Sequence, residues 1–316
     1  MLTILIPTYN RGIYLKKNIE MLDGFIIKND LKNVVKILIS NNLSTDNTKE
    51  ILTKIKEQCQ SEIKIFDQTT NIGLEKNALF VLSRSESNFV MYLGDDDYLD
   101  ENYLLQVVKK LTQDDKIGCI IPSYVNVNYD GDLLVPKIGR DFDLPNAEFE
   151  NGFENCLKNS FKGHQLSGLV FRRDGLLESY VNQKVNNLYP FIYFTTFSCF
   201  HYNTLCLTEF PVKVTAALQK DKDWGYGKEG LITHVFDNYN KFDEITYYQK
   251  HLLQMHLLKK QSWRYLMFLD DKVKFIKALF IIEFSSKTNW ITKVFFPIVI
   301  LNFFFKILIK KKSIKI

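Results

Sequence analysis

The feature that most constrains the fold of this chain is an alternation over its first 120 residues. Four short apolar runs, Leu2–Ile6, Val34–Ser40, Ile63–Phe66 and Phe89–Leu93, have strand length and are rich in Leu and β-branched residues. Between them the period lengthens to that of a helix: Ile13, Leu15, Ile19, Leu22 and Ile26, then Ile51, Leu52 and Ile55, then Leu74, Ala78, Leu79 and Leu82. Strand–helix–strand repetition with continuously apolar strands predicts an α/β fold, a Rossmann-like and mostly parallel sheet with flanking helices on both faces. After Pro122 the pattern loosens. Tyr124–Tyr129 and the turn residues Asp130-Gly131-Asp132 predict a hairpin and a long surface loop. A strand resumes at Leu166–Arg172, a helix follows from Asp174, and helical periodicity dominates from about residue 187. The chain is read as an α/β body over residues 1–220, a helical C-terminal extension over 221–290 and a basic aromatic tail over 291–316.

In open α/β sheets ligands bind where loops leave the carboxyl ends of the strands. The first such loop is Pro7-Thr8-Tyr9-Asn10-Arg11, which offers a ring, hydrogen-bonding groups and a cation suited to a nucleobase and a phosphate; Asn10 can equally cap the next helix. The second, Asn41-Asn42-Leu43-Ser44-Thr45-Asp46, can read a base edge, or Ser44 or Thr45 can cap a helix. The third is Asn71-Ile72-Gly73, and the fourth Gly94-Asp95-Asp96-Asp97. Three adjacent carboxylates repel one another, and a divalent cation that also grips diphosphate oxygens resolves that repulsion. A plain acidic loop ahead of a helix starting near Asp100 is the alternative. The chain holds neither G-x-x-x-x-G-K-[ST] nor G-x-G-x-x-G, which disfavours P-loop and dinucleotide-binding functions.

With these residues in place, the chain resembles the family 2 glycosyltransferases, nucleotide-sugar enzymes of GT-A fold. Ile6-Pro7-Thr8-Tyr9-Asn10-Arg11 looks like the opening motif of that family, and Asn41 through Thr48 its second-strand motif. Asn71-Ile72-Gly73 with Asn77-Ala78, then Tyr92-Leu93-Gly94-Asp95-Asp96-Asp97, resemble its third block and metal motif. The resemblance implies that Pro7, Thr8 and Tyr9 line a nucleobase pocket, with Arg11, Asn41, Asn71, Gly73, Asn77, Asp95 and Asp96 also on the nucleotide sugar. It implies a divalent metal, Mn2+ or Mg2+, held by Asp96 and Asp97; a one-residue shift pairing Asp95 with Asp97 fits the same sequence. Two positions depart from the family pattern: Asn41 stands where an Asp is usual, and Gly94 where the metal motif begins with Asp. The resemblance also calls for a carboxylate base on the acceptor hydroxyl, but the region expected to carry it reads Asn186-Asn187-Leu188-Tyr189-Pro190-Phe191. Asp223, Glu229 and His164 are the substitutes, with Asp174 and Glu178 behind them.

Charge bears on the partners. The net charge of +5 divides unevenly, because residues 259–316 hold 13 Lys/Arg against 3 Asp/Glu while the rest of the chain is mildly acidic. The segment 291–309 is apolar and ends in Lys310-Lys311-Lys312, yet Lys293, Pro297, Asn302 and Lys306 interrupt it. A helix from Pro297 to Ile309 would reach about 20 Å, short of the roughly 30 Å needed to span a bilayer. An in-plane anchor on an anionic membrane surface is therefore expected, with a final helix packed on the body as the alternative. Basic residues set among Phe and Ile, on an acidic body, disfavour nucleic acid as a partner. Five scattered Cys without a C-x-x-C pair predict free thiols in a reducing compartment, and no secretion signal is read before Leu2. The expectation is a metal-dependent inverting glycosyltransferase, peripheral on the cytoplasmic face of the cell membrane. It would move a sugar from a nucleotide-sugar donor to a glycan or lipid-linked acceptor of the cell surface. A nucleotidyltransferase and a catalytically silent sugar-nucleotide-binding scaffold are the alternatives.

Overall fold

Every residue of β1 (Leu2–Thr8) is buried, so this strand is covered on both faces. Leu2, Ile4 and Ile6 pack on one side with residues of α1 (Gly12–Lys28), α2 (Thr48–Gln58) and α4 (Glu101–Gln113). Leu5 packs on the other side with Ala78, Val81 and Leu82 of α3 (Gly73–Ser83). β1 pairs in parallel with β2 (Val35–Asn41) and β4 (Phe89–Tyr92), and β2 with β3 (Ile63–Asp67). The four expected strands are thus present and parallel, with termini shifted by a residue or two. The computed structural model describes residues 1–128, 130–216 and 231–313.

β5 (Ile117–Val127), the short β6 (Gly139–Arg140) and β7 (Ala147–Phe149), β8 (Val170–Arg172) and β9 (Asn203–Thr215) complete a nine-stranded sheet. Its order is β3-β2-β1-β4-β8-β5-β9-β7, with β6 beside β5. β1 to β5 and β9 share one direction, which makes the sheet mostly parallel. β8 runs against both of its neighbours, pairing Arg172 with Phe89 and Val170 with Met91. The residues just before β8 therefore lie at the carboxyl edge of β1 to β4, and those after it at the opposite edge.

One expectation needs correcting. The sequence reads as helical from about residue 187, but α7 (Pro190–His201) is followed by the 13-residue strand β9. β9 is rich in strand formers, Thr204, Leu205, Leu207, Val212 and Val214, and lies between β5 and β7. Its Pro211 falls where the register against β5 shifts, between Leu207 and Val212, so the missing N–H breaks no regular ladder. The remaining helices are α5 (Phe153–Asn159), α6 (Leu176–Asn182), α8 (Leu231–Asn240), α9 (Tyr247–Lys260), α10 (Trp263–Leu266), α11 (Lys272–Phe284) and α12 (Trp290–Ser313), with a 3-10 turn at Ser160–His164.

α7 is buried on nearly every side, and its Thr195 and Thr196 hydroxyls donate to the carbonyls of Phe191 and Ile192, four residues back. Around it Tyr92 and Phe171 from the sheet join Phe236, Leu257, Phe275 and Phe296 from the C-terminal helices in one apolar cluster. α12 begins at Trp290, not at Pro297, which lies inside it. Asn289 sets the earlier start, its side-chain oxygen accepting from the Ile291 N–H at 3.0 Å. Among the described residues no helix is long and apolar enough to cross a membrane.

Candidate active site

The first three strands end in one row, because Thr8 pairs with Asn41 and Asn41 with Asp67. Asn41 donates from its amide to Asp67 Oδ1 at 2.8 Å and accepts from the Ser44 N–H at 3.1 Å. This pairing accounts for the amide at position 41. A carboxylate there would face Asp67 at the same distance, and two carboxylates so close cannot both remain ionised without a counter-ion. Above the row Tyr9 is 43% exposed. Asn10 does not cap α1; it adopts a positive φ of 54° and accepts from the Thr45 N–H at 2.7 Å, while its own N–H donates to Ser44. The first and second loops are thereby zipped together. Asn42 and Asn71 join the second to the third, and the Asn71 oxygen also accepts from Gly73 N–H at 3.0 Å. Gly73 has φ +82°, a conformation that glycine adopts without strain. Asn77 is buried deeper: it accepts from the Ser40 hydroxyl and donates to the Ser40 carbonyl, pinning α3 to β2.

The acidic turn follows β4. Asp100 caps α4 by accepting from the Asn102 N–H at 2.8 Å, which leaves Asp95, Asp96 and Asp97 in the loop ahead of the helix. Their surroundings differ. Asp95 accepts from the Thr8 hydroxyl at 2.7 Å. Asp96 has Arg11 Nε at 4.0 Å. Asp97 accepts from Ser167 and Gln165 on one oxygen, at 2.5 and 3.1 Å, and from the Thr215 N–H on the other, at 2.9 Å. Ser167 also accepts from the Gly94 N–H at 2.9 Å, so a single hydroxyl closes the turn from first residue to last. The Gly94 carbonyl is held by Asn18 of α1. A Cβ at position 94 would come within 2.9 Å of Asp97 Oδ2 and 3.1 Å of the Ser167 hydroxyl. A side chain at this position would have to displace Asp97 or Ser167. Burial, with the charges of Asp96 and Asp97, pushes the Tyr98 phenol up to about 12.

Sequence reasoning missed Ser167, Gln165 and Thr215, because each is remote in the chain and none belongs to a recognisable spacing. It also missed Glu75. This half-buried residue of the first turn of α3 accepts from Tyr180 Oη at 2.5 Å and from the Asn187 N–H at 3.1 Å. The fold therefore brings a carboxylate to the segment that lacks one. Asp223 and Glu229 lie outside the described residues. Asp174 and Glu178 are exposed beyond β8, at the far edge of the sheet from Asp95. His164 stands one residue from Gln165, but burial and the cations Arg140 and Arg264 push it down to about 3. An imidazole that holds its proton so weakly suits a neutral hydrogen-bonding role better than general-base work. Pro7 and Thr8 are buried in β1.

The model of the family described as "Glycosyl transferase family 2" matches residues 3–171, more than half of the chain. A hyaluronan synthase of Pasteurella multocida is 22% identical over 77% of this chain, which spans only 25% of that synthase's length. Among solved structures, S. aureus TarS 1-349 in complex with UDP superposes with a TM-score of 0.63 at 16% identity, covering 89% of this chain and 79% of that one. The mannosyltransferase PcManGT from Pyrobaculum calidifontis, solved with GDP-Man and Mn2+, does so at 0.53 and 13% identity, covering 92% and 83%. These neighbours establish the GT-A fold. The motif residues, the sheet that carries them to one edge and the family match agree, and the chain belongs to glycosyl transferase family 2.

Proposed function

We propose that the chain is a metal-dependent inverting glycosyltransferase that moves a sugar from a nucleoside-diphosphate donor to a glycan or lipid-linked acceptor in cell-surface polysaccharide synthesis. The observation that carries this reading is the Gly94–Asp97 turn, pinned by Asn18, Ser167, Gln165 and Thr215 at the edge where Thr8, Asn41 and Asp67 end. The polymer synthase among the relatives and the nucleotides in the structural neighbours support the substrate class.

In this reading the Tyr9 ring stacks on the base, the Thr8–Asn41–Asp67 row reads its edge, and Asn71 and Gly73 shape the loop beside it. Arg11 offers its guanidinium to the diphosphate. The residues fit a divalent ion. Carboxylate oxygens are the hard donors that Mg2+ and Mn2+ prefer. Such an ion would rest on Asp96 and Asp97, with Asp95 beside the sugar, and would stabilise charge on the departing diphosphate. Attack by the acceptor oxygen from the opposite face inverts the anomeric centre and requires a base. Glu75 is the described carboxylate best placed to stand in for the missing acid near Asn187; Asp223 and Glu229 remain the candidates outside the described residues. The basic tail holds the enzyme on the cytoplasmic face of an anionic membrane, where a lipid-linked acceptor would be presented.

A thermal-shift panel of nucleotide sugars, with and without Mn2+, tests the reading. One nucleotide class should stabilise the protein in a metal-dependent way, and nucleoside diphosphate should be released from the same donor. A panel in which no donor gives either signal would overturn it.

A further inference from the structure

The described residues contain 22 large apolar side chains that lie exposed, and 12 of them fall between Trp263 and Leu301. Their spacing is helical. On α11, Val273, Ile276, Phe280 and Phe284 form one stripe, 52–77% exposed, while Phe275 and Ile282 turn inward. On α12, Trp290, Val294, Ile298 and Leu301 form another, while Thr292, Phe296 and Ile300 are buried. Phe280 and Phe284 stack with ring centroids 5.4 Å apart. Single exposed apolar residues are ordinary on a protein surface; two stripes on consecutive helices mark a surface with a partner.

The chemistry of that partner follows from charge. Lys272, Lys274 and Lys277 are exposed and interleaved with the α11 stripe, and residues 259–316 carry 13 Lys/Arg against 3 Asp/Glu. Long lysine stems reach past an apolar face towards phosphate headgroups. A second copy would set the same excess of cations against itself. We infer that α11 and α12 together form a two-helix plate that lies in the interface of a bilayer containing anionic lipid. The inference rests on the tail reading above and enlarges it, since the contact begins on α11, well before residue 291. Removing residues 291–316 is an unsuitable test, because it strips Phe296 and Ile300 from the core. Point changes on the exposed stripes avoid that damage.

The test is co-sedimentation of the full chain with phosphatidylcholine vesicles, with and without phosphatidylglycerol. The parent should bind the anionic vesicles and release as salt rises. The double variant I276E/F280E should lose partition about tenfold or more, with an unchanged melting curve and unchanged release of nucleoside diphosphate from donor in solution. If I276E/F280E binds like the parent while V294E/I298E does not, the two-helix plate is overturned and the tail anchor stands. If the parent binds neither vesicle, both membrane readings fall and the transferase reading is untouched. If the parent instead runs as a dimer that I276E/F280E makes monomeric, the face is a self-association surface and the inference is overturned.

Discussion

Asp97 and Phe280 belong to regions that break the ordinary division of polar and apolar residues in opposite directions. At the carboxyl edge of β1 to β4, charged and amide side chains are buried, and they stay buried because each named group has a partner of the right sense: Asp97 takes three donors, Asn41 bridges Asp67 and Ser44, Asn77 spans Ser40. On α11 and α12, rings and branched chains stand exposed, and no other described residue covers them. Buried polarity with internal partners makes a rigid, pre-ordered site. Exposed apolar surface stores an unspent driving force that only a second phase can use. One region is complete before its ligand arrives; the other is completed by what it touches.

Substitutions can break that contrast. The largest effect is expected at Asp96, where Asp96→Asn should lower release of nucleoside diphosphate from the identified donor by about 10²-fold or more, with little change in melting temperature. Full activity would remove this carboxylate from the metal. Asp97→Asn should lose activity and also stability, since one oxygen becomes an NH2 that cannot accept, which leaves at least one of the three donors around it unpaired. The cost is about 1–3 kcal/mol, a fall in melting temperature of about 2–5 °C in a chain of this length. An unchanged melt would show that these hydrogen bonds do not order the turn. Gly94→Ala should destabilise by about 1–3 kcal/mol through the contact with Asp97 and Ser167. Glu75→Gln should reduce transfer to acceptor more than it reduces donor binding, measured as kcat against the donor's thermal shift; equal losses in both would make Glu75 only a brace for Asn187.

The smallest effect concerns pH. His164 is pushed down from its usual value to about 3 in the folded chain, so the unfolded chain binds its proton more readily between these limits. Its contribution to stability is full above the unfolded value near 6.5 and is lost as pH falls towards 3. His164→Gln should therefore make the acid side of the stability curve shallower and leave a pH–rate profile above 6 unchanged. A rate limb near neutrality that vanished in this variant would return His164 to the list of bases.

Much of the candidate site was legible in the sequence as a set of loops at one sheet edge, and the reason is local. A strand end and the loop that follows it are contiguous, so Thr8–Arg11, Asn41–Asp46, Asn71–Gly73 and Gly94–Asp97 each announce a position at one edge of a parallel sheet. β9 was not legible, because helical segments flank it and its strand character shows only when β5 is beside it. The start of α12 was misread for a similar reason: Pro297 suggested a first turn, and Asn289 made an earlier one.

What the sequence by itself determined, then, is the class of fold, the order of the motifs and the charge division between body and tail, all of which depend on residues near one another in the chain. Tertiary structure decided the rest. It brought Ser167, Gln165 and Thr215 to Asp97, set Glu75 against Asn187, and paired Asn41 with Asp67, contacts between residues 26 to 118 positions apart. It also decided which faces of α11 and α12 point outward. Periodicity reports that a helix has an apolar side; only packing reveals whether that side is already covered.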